Sequence, residues 1–228
     1  MSTGLARAAA VAALGCALAA CGGGPDAPAG AQRSGPVGGA SGTELAGRQV
    51  LRKGNGAEPE SLDPHRAESV TAANILRDLF EGLTLEAPDG RIVPGAAERW
   101  EVSEDGLAWT FHLRADGRWS NGDPVTAHDF EYGLRRSCDP ETLNEYSSIL
   151  FPIENAEAVI AGRQPPESLG VAALDERTLR IRLSGPTPYL PGLLTHATAY
   201  PVHRPSLETH GGQFARPGKL VSNGAYRL

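Results

Sequence analysis

Trp109-Thr110-Phe111-His112-Leu113-Arg114 sets large apolar side chains at every second position, so a chain extended there has one face to bury and one to hydrate. The turn residues Ser103-Glu104-Asp105-Gly106 precede it, and residues 99–102 are predicted to run back against it as a hairpin. The same period of two returns at Leu179, Ile181 and Leu183 between arginines, with Asp175-Glu176 as the turn of a second hairpin. Between the hairpins the period lengthens. Thr126-Ala127-His128-Asp129 opens a helix whose Thr126 hydroxyl caps free amides while Asp129 reaches back, and Phe130 and Leu134 then point inward.

Upstream, Ile75, Leu76, Leu79 and Phe80 share one face of a helix predicted over 71–81, with Ser69 or Thr71 as an ordinary N-cap and Gly82 placed to end it. Gly54-Asn55-Gly56 reads as a turn after a short strand near Gln49, and two prolines forbid helix between Glu58 and His65. Further helices are expected at 141–150, 153–161, 189–196 and 205–210, and Ala225 to Leu228 reads as the opening of a strand. Trp100, Trp109 and Trp119 are expected in core and hairpin packing. Hairpins interleaved with separate helices define an α/β fold of the mixed α+β kind.

The chain has 228 residues, 40% hydrophobic and 21% charged, enough to bury a core of one or two domains. Its net charge of -6 argues against a protein that neutralises a nucleic-acid backbone, and loss of Arg7 with a leader makes the balance more acidic still. That leader is the sharpest local signal. An apolar run from Ala8 to Ala20 is too short to span a bilayer and ends in Leu18-Ala19-Ala20-Cys21, which resembles the bacterial lipobox. Residues 1–20 are therefore expected to be a lipoprotein signal peptide, with Cys21 acylated and residues 21–47, rich in Gly, Pro and Ala, a flexible tether. Cys16 leaves with the leader, so Cys138 has no disulfide partner and is expected to be a partly buried helix-end residue rather than a reactive thiol.

The usual signatures of chemistry are missing. Gly54-Asn55-Gly56 lacks the third glycine and the helix that a dinucleotide needs. There is no Walker loop, His-Glu-x-x-His, Cys-x-x-Cys or Gly-x-Ser-x-Gly, and the histidines at 65, 112, 128, 196, 203 and 210 are not at ligand spacing. No catalytic residue, metal site or cofactor is expected, and nucleic acid is not an expected partner.

Six stretches, in order, resemble the extracytoplasmic oligopeptide-binding proteins of peptide ABC importers, solute-binding protein family 5: EPESLDP (58–64), RDLFEGL (77–83), PGAAERW (94–100), WTFHLR (109–114), WSNGDPVTAHDF (119–130) and SNGAY (222–226). The resemblance runs from about Arg48 to Leu228. It implies a two-lobed, periplasmic-binding-protein-like fold that encloses an extended peptide and pairs with its main chain. By the same resemblance, residues 48–82 are the first segment of lobe I, 83–203 an inserted small α/β domain, and 204–228 the return into lobe I, with the second lobe beyond the chain. The chain alone is then expected not to close on a ligand. Glu68, Ser69 and Val70 match the segment lying along the peptide, and Tyr146 and His196 match cleft positions. Implied partners are a peptide, an ABC permease and ATPase complex and, through the lipid, a membrane. The implied body is a monomer on the extracytoplasmic side, in the periplasm or at the cell surface. A dipeptide, nickel chelate or oligosaccharide ligand, or a surface peptide sensor, are the alternatives within this resemblance.

Overall fold

The computed structural model describes residue 50 and residues 52–228. The signal peptide, Cys21, the 21–47 tether and the strand expected near Gln49 lie outside these, and no described helix is long and apolar enough to cross a membrane. The WTFHLR stretch is strand β4 (Ala108–Leu113), in a four-stranded antiparallel sheet of order β3-β4-β6-β5 with β3 (Ala97–Val102), β5 (Val171–Asp175) and β6 (Thr178–Arg182). Trp109 faces Ile181 and Phe111 faces Leu179 across β4 and β6, while Val171 of β5 faces Ile181 from the other side. Both predicted hairpins are present. Phe111, Leu179 and Ile181 are wholly buried, each contributing on the order of 2 kcal/mol by transfer from water.

Helix α2 (Ala127–Cys138) lays Phe130 and Leu134 against β5 and β6. Its capping box forms as the sequence requires, with Asp129 Oδ2 accepting the Thr126 N–H at 2.8 Å. Cys138 ends this helix fully buried, and burial pushes its thiol up to about 12, so it carries no accessible thiolate. Trp109 and Trp119 are buried, and Trp100 packs on Phe111 with ring centroids 6.1 Å apart.

Helix α1 (Val70–Leu79) begins at Ser69, whose Oγ accepts the Ala72 N–H at 3.1 Å. It stops earlier than the pattern suggests, because Phe80 turns extended to reach the core. Gly82 is required for a different reason from helix termination: a Cβ there would lie 2.8 Å from the Leu194 carbonyl oxygen. A hairpin of β1 (Thr84–Glu86) and β2 (Ile92–Pro94) follows, turning at Gly90 with φ +81°.

Several expectations need correction. Residues 141–150 are not one helix but 3-10 turns at Pro140–Thr142 and Ser147–Leu150, separated by Leu143 in the left-handed region at φ 57°. Asn144 competes for the backbone there, donating to Ser137 O and accepting from Tyr146 N–H. The residues after Asn223 form no strand. Gly224 and Tyr226 donate their N–H groups to Leu79 and Asp78 carbonyls at 2.8 and 3.0 Å, so the carbonyls at the end of α1 take the place of a ladder partner. The expected helix at 153–161 shortens to α3 (Ala156–Ile160), and the later helical pieces appear as α4 (Leu190–Leu193), with a 3-10 turn at Ala197–Ala199, and α5 (Arg204–His210).

Candidate functional site

Glu68, Ser69 and Val70 form the entry to α1, and Val70 leaves 76% of its surface exposed. Tyr146, from the irregular segment that replaces the expected helix, donates its hydroxyl to the Glu68 carbonyl at 3.3 Å across 78 residues of chain. The His196 ring lies 5.5 Å from the Tyr146 ring, tilted by 60°. All five residues singled out in the sequence therefore meet at one place. Tyr146 remains 42% exposed, so its ring is an open amphipathic wall.

Each group there has a defined valence. His196 Nδ1 accepts the Thr198 N–H at 3.2 Å, which puts the proton of the neutral ring on Nε2. No side chain or backbone group among the described residues meets that proton. Burial and then the Arg77 charge lower the His196 pKa, which favours the neutral ring. Ser69 is extended at φ -91° and ψ 153°, and its carbonyl is taken by Ala73 N–H in the first turn of α1. The Glu68 carbonyl keeps a second lone pair beside Tyr146 Oη. Val70 N–H, at the first helical position, has no partner among the described residues.

Two polar devices that the sequence did not single out hold this entry in place. Glu60 Oε1 accepts the Glu68 and Ser69 N–H groups at 2.6 and 2.9 Å, and its other oxygen accepts the Ser69 hydroxyl. Desolvation opposes the charge, but the Ser69 hydroxyl and then the two backbone donors outweigh it and hold the carboxyl at about 2. Behind it, Asp63-Pro64-His65 is buried. Arg136 of α2 forks onto both Asp63 oxygens at 2.9 and 2.6 Å and donates to His65 Nδ1 at 2.9 Å, while His65 Nε2 donates to Tyr200 O at 3.0 Å. Burial alone would raise Asp63, but the Arg136 hydrogen bonds and charge bring it below the ordinary carboxylate range. Burial and the same guanidinium push His65 down to about 4. Gly133 makes this joint possible, since a Cβ on α2 would sit 2.8 Å from Tyr200 O.

Beside His196 an open cleft of about 460 Å³ is lined by Arg77, Leu85, Glu86, Thr195 and Tyr200. Among the described residues no group of three or more His, Cys, Asp or Glu side chains is placed to hold a metal ion. What the site offers is one carbonyl, one amide, one imidazole N–H and an aromatic wall.

The fold is of the periplasmic-binding-protein type. The sequence pattern of the Bacterial extracellular solute-binding proteins, family 5 Middle, matches residues 91–228, and the chain belongs to that family. It is 46% identical over 190 residues to the Periplasmic oligopeptide-binding protein OppA of Salmonella typhimurium, covering 82% of this chain and 35% of that protein. It is 42% identical over 188 residues to the Probable deoxycholate-binding periplasmic protein YgiS of Escherichia coli, with the same coverage of each chain. Among solved structures, Haemophilus influenzae OppA in complex with the peptide RPPGFSPFR superposes with a TM-score of 0.74 at 45% identity, over 76% of this chain and 34% of that one. The chain thus spans about a third of the length of these relatives.

Proposed function

We propose that this chain is the first part of an extracytoplasmic receptor that captures oligopeptides and hands them to an ABC permease and ATPase complex, with no chemistry of its own. The observation that carries this is the convergence of Glu68 to Val70 with Tyr146 and His196. A ligand residue lying opposite Ser69 can donate its N–H to the Glu68 carbonyl and accept from Val70 N–H, the pattern of a parallel ladder. Such pairing reads main chain and ignores side chains, which suits a carrier of many peptides. His196 Nε2–H adds a donor for a ligand carbonyl beside the Tyr146 wall.

In this proposal residues 48–82 open lobe I, 83–203 are the inserted small domain, and 204–228 return to lobe I. The Gly224 and Tyr226 hydrogen bonds to the end of α1 support the return. Lobe I with the inserted domain supplies one wall of the cleft, so the chain alone does not enclose a ligand. The proposed anchor is acylation of Cys21, which incorporation of labelled palmitate, and its loss in Cys21→Ser, would test. For the binding function, residues 52–228 would be joined to the remaining length of the Haemophilus influenzae relative and titrated calorimetrically with RPPGFSPFR. Binding by the fusion and none by the chain alone is expected, and a fusion that binds no peptide overturns the proposal. One observation favours a second ligand class, the similarity to a relative named for deoxycholate. The same titration with deoxycholate separates the two.

A further inference from the structure

Glu60 does more than join two loops. Its carboxylate fills two successive backbone donors, Glu68 N–H at 2.6 Å and Ser69 N–H at 2.9 Å, and takes the Ser69 hydroxyl as well. Two adjacent N–H groups at the mouth of a helix are a ready-made seat for a carboxylate or phosphate. In this chain the seat is occupied from within. Ser69 also caps α1 through the same Oγ, so one side chain fixes both the helix start and the segment before it.

We propose that Glu60 is an internal carboxylate ligand that positions the 68–70 segment and sets its selectivity, closing it to anions and leaving only Glu68 C=O and Val70 N–H for a neutral main chain in one register. The proposal rests on the receptor reading for its functional meaning, though the clamp itself is independent of it. Without Glu60 the segment would present donors at three consecutive residues, 68, 69 and 70, and any oxyanion could compete for them. With it, the segment offers one acceptor and one donor on either side of Ser69, which admits a peptide in one alignment. The negative charge also stands where a ligand carboxylate would have to sit, so the selection works by repulsion as well as by occupancy.

The test needs no peptide, so it separates failure of the clamp from failure of the receptor reading. In the 228-residue chain, amide hydrogen exchange at Glu68 and Ser69 would be followed in wild type, Glu60→Ala and Glu60→Gln. Loss of hydrogen bonds to a charged acceptor should speed exchange at both amides by on the order of tenfold in Glu60→Ala. Glu60→Gln, which keeps the acceptor oxygen, should restore most of the protection. Acetate added to Glu60→Ala should shift the resonances of those two amides and slow their exchange again, with no such effect in wild type. Equal exchange at 68 and 69 in all three proteins would overturn the proposal. So would acetate shifts that fall elsewhere or occur equally in wild type.

Discussion

In the four-stranded sheet, the side chains that fix the structure are apolar and wholly buried, Phe111, Leu179 and Ile181 among them, and all belong to one continuous core. Between residues 58 and 70 the chain is fixed by a few polar side chains with named partners: Glu60 on the Glu68 and Ser69 amides, and Asp63 and His65 on Arg136 and Tyr200. The sheet holds by area, and its energy is spread. The approach to α1 holds by geometry, and its energy sits in single groups. On the proposed reading, a surface that presents a carbonyl and an amide in a defined register gains from the second construction, because hydrogen bonds have direction and apolar contacts do not.

This contrast makes ordered predictions. Phe111→Ala, which empties a fully buried ring site in β4, should cost about 4 kcal/mol of the chain's unfolding free energy, measured by urea denaturation. A loss no larger than that of a surface substitution would mean that the sheet is not the main store of stability. Arg136→Ala should come next, at about 3 kcal/mol, since it strands the buried Asp63 carboxylate without its partner. Replacing Asp63 by Asn in the same protein should return part of that loss, which an apolar joint would not do.

The third effect depends on pH. Folded His65 stays neutral until about pH 4, whereas in the unfolded chain it takes a proton as pH falls below 6.5. Across that window the unfolded chain binds more protons, so the contribution is full above pH 6.5 and is lost as pH falls toward 4. Wild type should lose about 1 to 2 kcal/mol between pH 7 and 5 relative to His65→Gln, read from urea midpoints at each pH. Parallel curves for the two proteins would remove His65 from the account. Tyr146→Phe should be smallest in stability, within about 0.5 kcal/mol, because the ring is half exposed and its hydroxyl bond is long. In the fusion protein the same change should weaken peptide binding by about threefold, roughly one modest hydrogen bond. An unchanged affinity would place the ligand elsewhere.

The two regions also differ in how far they could be read beforehand. Alternation in 109–113 and 179–183, the turn at Ser103 to Gly106 and the Thr126 and Asp129 box are local patterns, and the sheet and α2 follow from them. The β1-β2 hairpin has only Asp89-Gly90 as a local sign, since its strands of three residues each are too short to show a period. The 141–150 segment departs from its pattern because its apolar spacing suits a helix while Asn144 bonds its own neighbourhood instead. The five candidate residues rest on resemblance to a family rather than on any local pattern. Glu60 lies within the EPESLDP stretch, but nothing local gives its role, because its partners are amides eight and nine residues away.

Period, turn chemistry and capping residues determined the sheet and the two longer helices, because each depends on side chains within a few positions of one another. The gathering of Glu68 to Val70 with Tyr146 and His196, and the joint of Asp63, His65, Arg136 and Tyr200, were decided only by the tertiary structure. Contacts across some 70 to 135 positions are set by how the core packs, and no local pattern encodes which distant donor will meet which acceptor.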